Sequence, residues 1–204
     1  MDVKTTADPL ASLFAYALFL HRACDLPRAE LAYHDVLRLA PQHAGAFRGL
    51  GVIAHHTLRY SDALAWFDQA IARRPDWPEV RLERGFTLLG LKRYQAALAA
   101  FEIVLAYDPD HASASNARGT ALMALGRREA ALMSFSRACT LQPSLAHAWN
   151  NLCATLLMLD RAEEMLAIQD RMPEALLASP QVQALRTQAL QRLGQNAEPA
   201  TAGA

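Results

Sequence analysis

Cysteine is scarce in this chain. Its 204 residues include only Cys24, Cys139 and Cys153, an odd number without CxxC spacing, which excludes a disulfide framework and fits reduced thiols in a cytoplasmic setting. Net charge is missing as well. Twenty basic residues cancel twenty acidic ones, so no global field draws the protein to nucleic acid or an anionic membrane, and neither is expected as a partner. Long apolar runs are also lacking. The longest, LASLFAYALFL at residues 10 to 20, is shorter than the roughly 20 residues that span a bilayer. Its flanks do not suit a secretory leader either, with Asp2 and Asp8 against one Lys4 before it and HRACDLPRAE after it. The run reads as a buried helix, with no membrane insertion expected. Finally, there is no phosphate-cradling glycine loop, no GxSxG and no HExxH. Neither catalytic residues nor a cofactor are expected.

What the chain does have is apolar content, at 52% of residues, and a period. Pro41, Pro75, Pro109 and Pro143 recur at one constant interval of thirty-four positions. Ala29, Ala63, Ala97 and Ala131 keep the same beat twelve positions earlier, and Tyr33, Phe67, Phe101 and Phe135 keep it eight positions earlier. Gly51, Gly85 and Gly119 follow it too, each at a fixed distance ahead of one of the last three prolines. Within a unit, apolar residues recur at three and four, as in Phe47, Leu50, Ile53, Ala54 and then Ala63, Leu64, Phe67, Ala70, Ile71. That spacing predicts two amphipathic helices joined by a short turn. The glycine and the alanine let the helices approach, the aromatic fills the space left, and proline ends the second helix because it has no N–H to donate. In IARRPDWPEV, Pro75 therefore closes one unit, and Pro78 is expected in the first turn of the next helix.

These residues resemble the tetratricopeptide repeat family, whose pattern is met by Phe47, Leu50, Gly51, Ala63, Phe67 and Pro75, and again by Trp149 and Leu152. The resemblance implies an all-α fold, a right-handed α-solenoid of stacked helix-turn-helix repeats. Residues 1–9 are expected to be a polar tail. A single solenoid then runs over 10–194, with repeats near 10–43, 44–77, 78–111 and 112–145, a degenerate repeat over 146–179 and a capping helix over 180–194. In the degenerate repeat Met165 and Gln169 replace the alanine and the aromatic, and Pro173 stops the second helix early. Residues 195–204 are expected to be a disordered tail.

In this family the first helices line a concave groove that receives a peptide or helix of another protein. By period, that groove would display Phe14, Leu18, His21 and Arg22, then Arg48, Val52, His55 and His56, then Glu79, Leu82, Glu83, Phe86 and Leu89. Asn116, Thr120 and Met123 continue it, followed by His147, Asn150, Asn151, Ala154, Leu157 and Met158. The asparagines suit a ligand backbone, and Met123, Leu157 and Met158 suit apolar side chains. The family's carboxylate-gripping adaptors carry a lysine set that this sequence lacks. His21 and His55 fall at equivalent places on neighbouring helices, but a third ligand is missing, and the adjacent His55 and His56 point about 100° apart. No metal site is expected. An anion held by His21, Arg22, Arg48, His55 and His56 is the alternative. Trp77, whose counterparts are His43, His111 and Leu145, either staples the following helix or touches the ligand.

The N-terminal helix is apolar from Leu13 to Leu20, save for a tyrosine hydroxyl. One side of it has no second repeat to cover it, and each bare large side chain forgoes about 1.5–3 kcal/mol of burial. A homodimer or a docked partner is expected there. The functional expectation is a noncatalytic adaptor, assembly factor or chaperone. The alternative is an accessory or substrate-presenting subunit of a modifying enzyme, such as a glycosyltransferase or peptide-modifying enzyme.

Overall fold

The computed structural model describes residues 8–197. Most of the expected tails, residues 1–7 and 198–204, lies outside them. Among the described residues the regular structure is helical. The first helices of successive pairs are α1 (Pro9–Arg22), α3 (Ala44–His56), α5 (Pro78–Gly90), α7 (Ala112–Ala124) and α9 (Ala146–Met158). Their partners are α2 (Leu26–Leu39), α4 (Tyr60–Arg73), α6 (Tyr94–Tyr107), α8 (Arg128–Leu141) and the short α10 (Ala162–Ala167). A 3-10 turn (Ile168–Arg171), α11 (Glu174–Leu177) and α12 (Pro180–Ala197) follow.

Local chemistry sets these bounds. Helices α2, α4, α6 and α8 each stop two positions before Pro41, Pro75, Pro109 or Pro143, because the residue preceding a proline is pushed out of the helical region. Pro78 is the first residue of α5, where its missing N–H costs little. His43 and His111 cap α3 and α7 through Nδ1, which accepts from the backbone N–H of Ala46 at 3.0 Å and of Ala114 at 3.2 Å.

Each first helix ends in one recurring device. Cys24, Leu58, Lys92, Gly126 and Asp160, spaced at the repeat period, all adopt positive φ between 57° and 75°. After α1, the N–H of Cys24 bonds to the carbonyl of His21 and that of Asp25 to the carbonyl of Leu20. The same pair of bonds closes α3, α5, α7 and α9. This satisfies carbonyls that the helix end would leave bare, and it turns the chain back for the second helix.

The chain divides into two compact units, Met1–Val104 and Leu105–Ala204. In the first, α1 packs on α2, α3 on α4 and α4 on α5. Its core holds Ala17, Leu20, Tyr33, Val36, Leu50 and Ile53, and a second cluster gathers Phe47, Ala63, Phe67, Ala70 and Val80. In the second unit α7 packs on α8 and α8 on α9, and Leu122, Phe135 and Trp149 on these helices are buried. The glycine series works as its spacing predicts. A Cβ at Gly51 would lie 2.6 Å from the ring of Phe67, and one at Gly85 or Gly119 would lie 2.5 Å from Phe101 or Phe135.

Helix α10 has only six residues before the 3-10 turn, with Pro173 just beyond. Helix α12 packs on both α9 and α10, burying Val182 and Ala189. It runs to Ala197, past the 194 expected for the capping helix.

Candidate functional site

The first unit holds a cavity of about 680 Å³ between α1, α3 and the turn that leads into α5. Helical spacing puts Phe14, Leu18, His21 and Arg22 on one side of α1, and Arg48 and Val52 on the facing side of α3; Trp77 and Glu83 complete the wall from α5 and its cap. Eight residues expected in the groove thus meet around one space. Its shape depends on residues that the period alone did not select. Tyr33 reaches in from α2 because Gly49 has no side chain, and a Cβ there would fall 2.3 Å from the ring. Gly45 makes room in the same way for Phe14, whose ring lies 4.4 Å from that of His43. Arg74 joins from the loop before Pro75.

The cavity's polar groups are held in place. Arg48 grips Glu83 with two nitrogens, Nε at 3.0 Å from Oε2 and an Nη at 2.6 Å from Oε1, and this bond keeps the guanidinium firmly charged. The anion patch expected from the sequence therefore loses a free cation, because Arg48 is already neutralised. Arg48 and Arg74 both lie on the Trp77 ring, at 5.4 and 4.7 Å from its centre. Trp77 also packs against the Phe47 and Phe67 cluster, so it supports the helix corner and faces the cavity at once. The Nδ1 of His21 shares a hydrogen bond with the Tyr33 hydroxyl at 3.2 Å. Burial lowers the His21 pKa, helped by His56 and Arg48, and burial raises that of Tyr33.

His55 and His56 do not line this cavity. The Nδ1 of His55 lies 2.9 Å from the Thr87 hydroxyl, and its ring leans on Tyr60. Burial, with His56 second, lowers its pKa. Glu79 is exposed and Leu82 half-buried, and Phe86 is exposed with its ring tilted over Phe101. Among the described residues no group of three or more His, Cys, Asp or Glu could hold a metal ion.

In the second unit the expected residues bond to one another. Asn151 donates to the side-chain carbonyl of Asn116 at 3.0 Å, and the Thr155 hydroxyl lies 3.6 Å from the Met123 sulfur. These rungs sit two repeats after a pair in the first unit, with Arg48–Glu83 answering to Asn116–Asn151 and His55–Thr87 to Met123–Thr155. Thr120 turns its hydroxyl onto the Asn116 carbonyl. His147 is exposed, Asn150 half-buried and Met158 exposed. Leu157 corrects the expectation. It is 3% exposed and belongs to the core, because α12 packs over α9 and Arg192 bonds to the Leu157 carbonyl.

On the N-terminal helix, Phe14 and Leu18 line the cavity, and the outward residues are Phe19, 64% exposed, and Tyr16, whose hydroxyl accepts from Arg28 at 2.8 Å.

This architecture of paired helices around an inner-helix cavity is that of a helical-repeat protein. The chain belongs to the tetratricopeptide repeat family, whose model matches residues 11–78 and 82–146. It is similar to a double mutant of MamA from RS-1, at 20% identity over 89% of this chain and 97% of that one, with a TM-score of 0.75. MamA from residue 41 onward, from Desulfovibrio magneticus RS-1, aligns at 18% identity over 94% and 99% of the two chains, with a TM-score of 0.73. YrrB, described as a TPR protein with an unusual peptide-binding site, aligns at 20% identity over 90% of each chain, with a TM-score of 0.67. These likenesses show the fold, an all-α array of stacked helix-turn-helix repeats. No curated protein matches the chain. Among the described residues no helix is long and apolar enough to cross a membrane.

Proposed function

We propose that this protein is a noncatalytic interaction module, an adaptor, assembly factor or chaperone, that receives a segment of a partner protein on the faces of its first helices. The cavity lined by Phe14, Leu18, Val52 and Trp77 carries this reading. Its volume is in the range of built binding sites. Its walls are fixed beforehand by the Arg48–Glu83 pair and the Tyr33–His21 bond, which lowers the ordering cost of binding. In the second unit, Asn150 and the exposed Met158 offer a hydrogen-bonding and an apolar contact. The peptide-binding site named for YrrB supports the same reading. It assumes one solenoid of repeats near 10–43, 44–77, 78–111, 112–145 and 146–179 with a cap from 180, which the helix starts at Pro9, Ala44, Pro78, Ala112 and Ala146 support. A cytoplasmic setting goes with it, since the exposed Cys24 is unpaired.

A photo-crosslinking residue in place of Leu18 tests this reading in the source cell. The expected product is a covalent adduct with another protein, absent when the same group replaces the exposed Met133. Adducts with nucleic acid alone, or none from position 18, would overturn it. Docking at the N-terminal helix is a separate part of the proposal and rests on Phe19. Phe19→Glu is expected to shift the assembly seen by light scattering toward the monomer, and an identical mass across concentration for both proteins would remove that role.

A further inference from the structure

We infer that the segment received by the first unit's cavity is an acidic internal stretch, with an apolar side chain seated on Phe14, Leu18 and Val52 and carboxylates beside it meeting Arg22 and Arg74. This inference rests on the proposed function and names the ligand's chemistry.

Charge complementarity carries it. Three guanidinium groups line the cavity, and one carboxylate, Glu83, lines it with them. Glu83 is committed to Arg48. Glu79 acts on Arg48 from farther away. Even with Glu79 counted, three positive charges face two negative ones. Arg22 and Arg74 have no carboxylate within salt-bridge distance among the described residues. Arg74 rests on the Trp77 ring, a posture that leaves the edge of a guanidinium free for two parallel hydrogen bonds to a carboxylate.

Arginines in the neighbouring cavities of this unit are already bonded to protein acceptors. In the cavity of about 530 Å³ near Trp66, Arg59 holds both oxygens of Glu30 at 2.9 Å. In the cavity of about 380 Å³ beside α6, Arg84 holds Asp68 at 2.7 Å, and Arg81 donates to the Pro75 carbonyl. Of the arginines lining these three cavities, those with no bonded acceptor among the described residues, Arg22 and Arg74, therefore both lie at the one with the larger volume and the apolar floor. That pairing of features fits a segment with an apolar anchor and acidic neighbours. The two free arginines come from separate elements, the end of α1 and the loop before α5, which suits carboxylates on either side of an anchor better than one terminal carboxylate.

The test uses the full chain and fluorescence anisotropy with short acetylated, amidated peptides. One has leucine flanked by glutamates; the others replace those glutamates with glutamine or lysine. The acidic peptide is expected to bind about tenfold tighter than the glutamine peptide, to weaken with added salt, and to outbind the lysine peptide. Arg22→Glu and Arg74→Glu are expected each to narrow the preference, and together to reverse it. Arg22 is exposed, so its variant remains informative if the loss of the Arg74–Trp77 contact destabilises the other. Equal affinity for the acidic and glutamine peptides would overturn the inference while leaving a binding cavity in place. A free-carboxylate peptide that binds far tighter than its amidated form would assign a chain terminus and overturn the internal placement. Silence from all the peptides, with a protein adduct still formed at position 18, would sink the acidic assignment alone; silence together with no adduct would remove the proposed function as well.

Discussion

Cys139 and Cys153 are buried, and burial pushes their thiols up to about 12 and about 11. A thiol at that level supplies almost no thiolate near neutral pH, so it neither alkylates nor exchanges. Cys24 sits exposed in the turn after α1. Iodoacetamide at mildly alkaline pH is therefore expected to add once per native chain and three times in denaturant, with mass spectrometry as the readout. Histidines give a second residue-scale outcome. His21 and His55 titrate below the ordinary imidazole value of about 6.5, so the unfolded chain takes up their protons at higher pH than the fold does. Their contribution is whole above about pH 6.5 and is lost as pH falls through the lowered folded values. The thermal midpoint is expected to drop as pH falls from about 7.5 to about 5.5, and less steeply for a His21→Gln, His55→Gln variant. Parallel curves would clear both residues.

At the scale of the element, the turn between paired helices is the feature that recurs most faithfully. Its left-handed residue costs an L side chain about 1–2 kcal/mol, yet Cys, Leu, Lys and Asp occupy four of the five places and glycine only one. Gly126→Ala is expected to lower stability by about 1 kcal/mol in urea unfolding. Leu58→Gly, at a side chain 70% exposed, is expected to be neutral or to gain up to about 1 kcal/mol, because relief of strain outweighs the entropy of the unfolded glycine. A loss at position 58 would mean that the leucine makes contacts its exposure does not suggest. The helices themselves were legible in the sequence because they obey local rules. Pro41, Pro75, Pro109 and Pro143 end the second helices that precede them, and one constant beat places five starts. The turns were not legible, since four of their five left-handed residues are not glycine and nothing local marks them.

For the whole molecule, the candidate site was half legible. The period located the inner faces of α1, α3 and α5, and so Phe14, Leu18, Arg48 and Trp77. It missed Tyr33, which enters from a second helix through the gap that Gly49 leaves, and Arg74, which enters from a loop. It also placed Leu157 outside, because burial of that residue depends on α12, and what a terminal helix covers is set by packing rather than by repeat position. That dependence is open to measurement. A chain ending at Ser179 is expected to lose at least the roughly 1.5–3 kcal/mol of burying Leu157, with the loss seen at Trp149 in the second unit. Unchanged unfolding at Trp149 would show that α12 adds nothing to its neighbours.

The rungs that recur two repeats apart make the inner face a set of exchangeable parts. One slot carries arginine and glutamate in the first unit and a pair of asparagines in the second, on the same backbone scaffold. Exchanging the pairs, Arg48→Asn with Glu83→Asn and Asn116→Arg with Asn151→Glu, would move the salt-sensitive rung along the chain without rebuilding a helix. Selection could therefore retune this protein's preference for a ligand one pair of side chains at a time, each step leaving the fold intact.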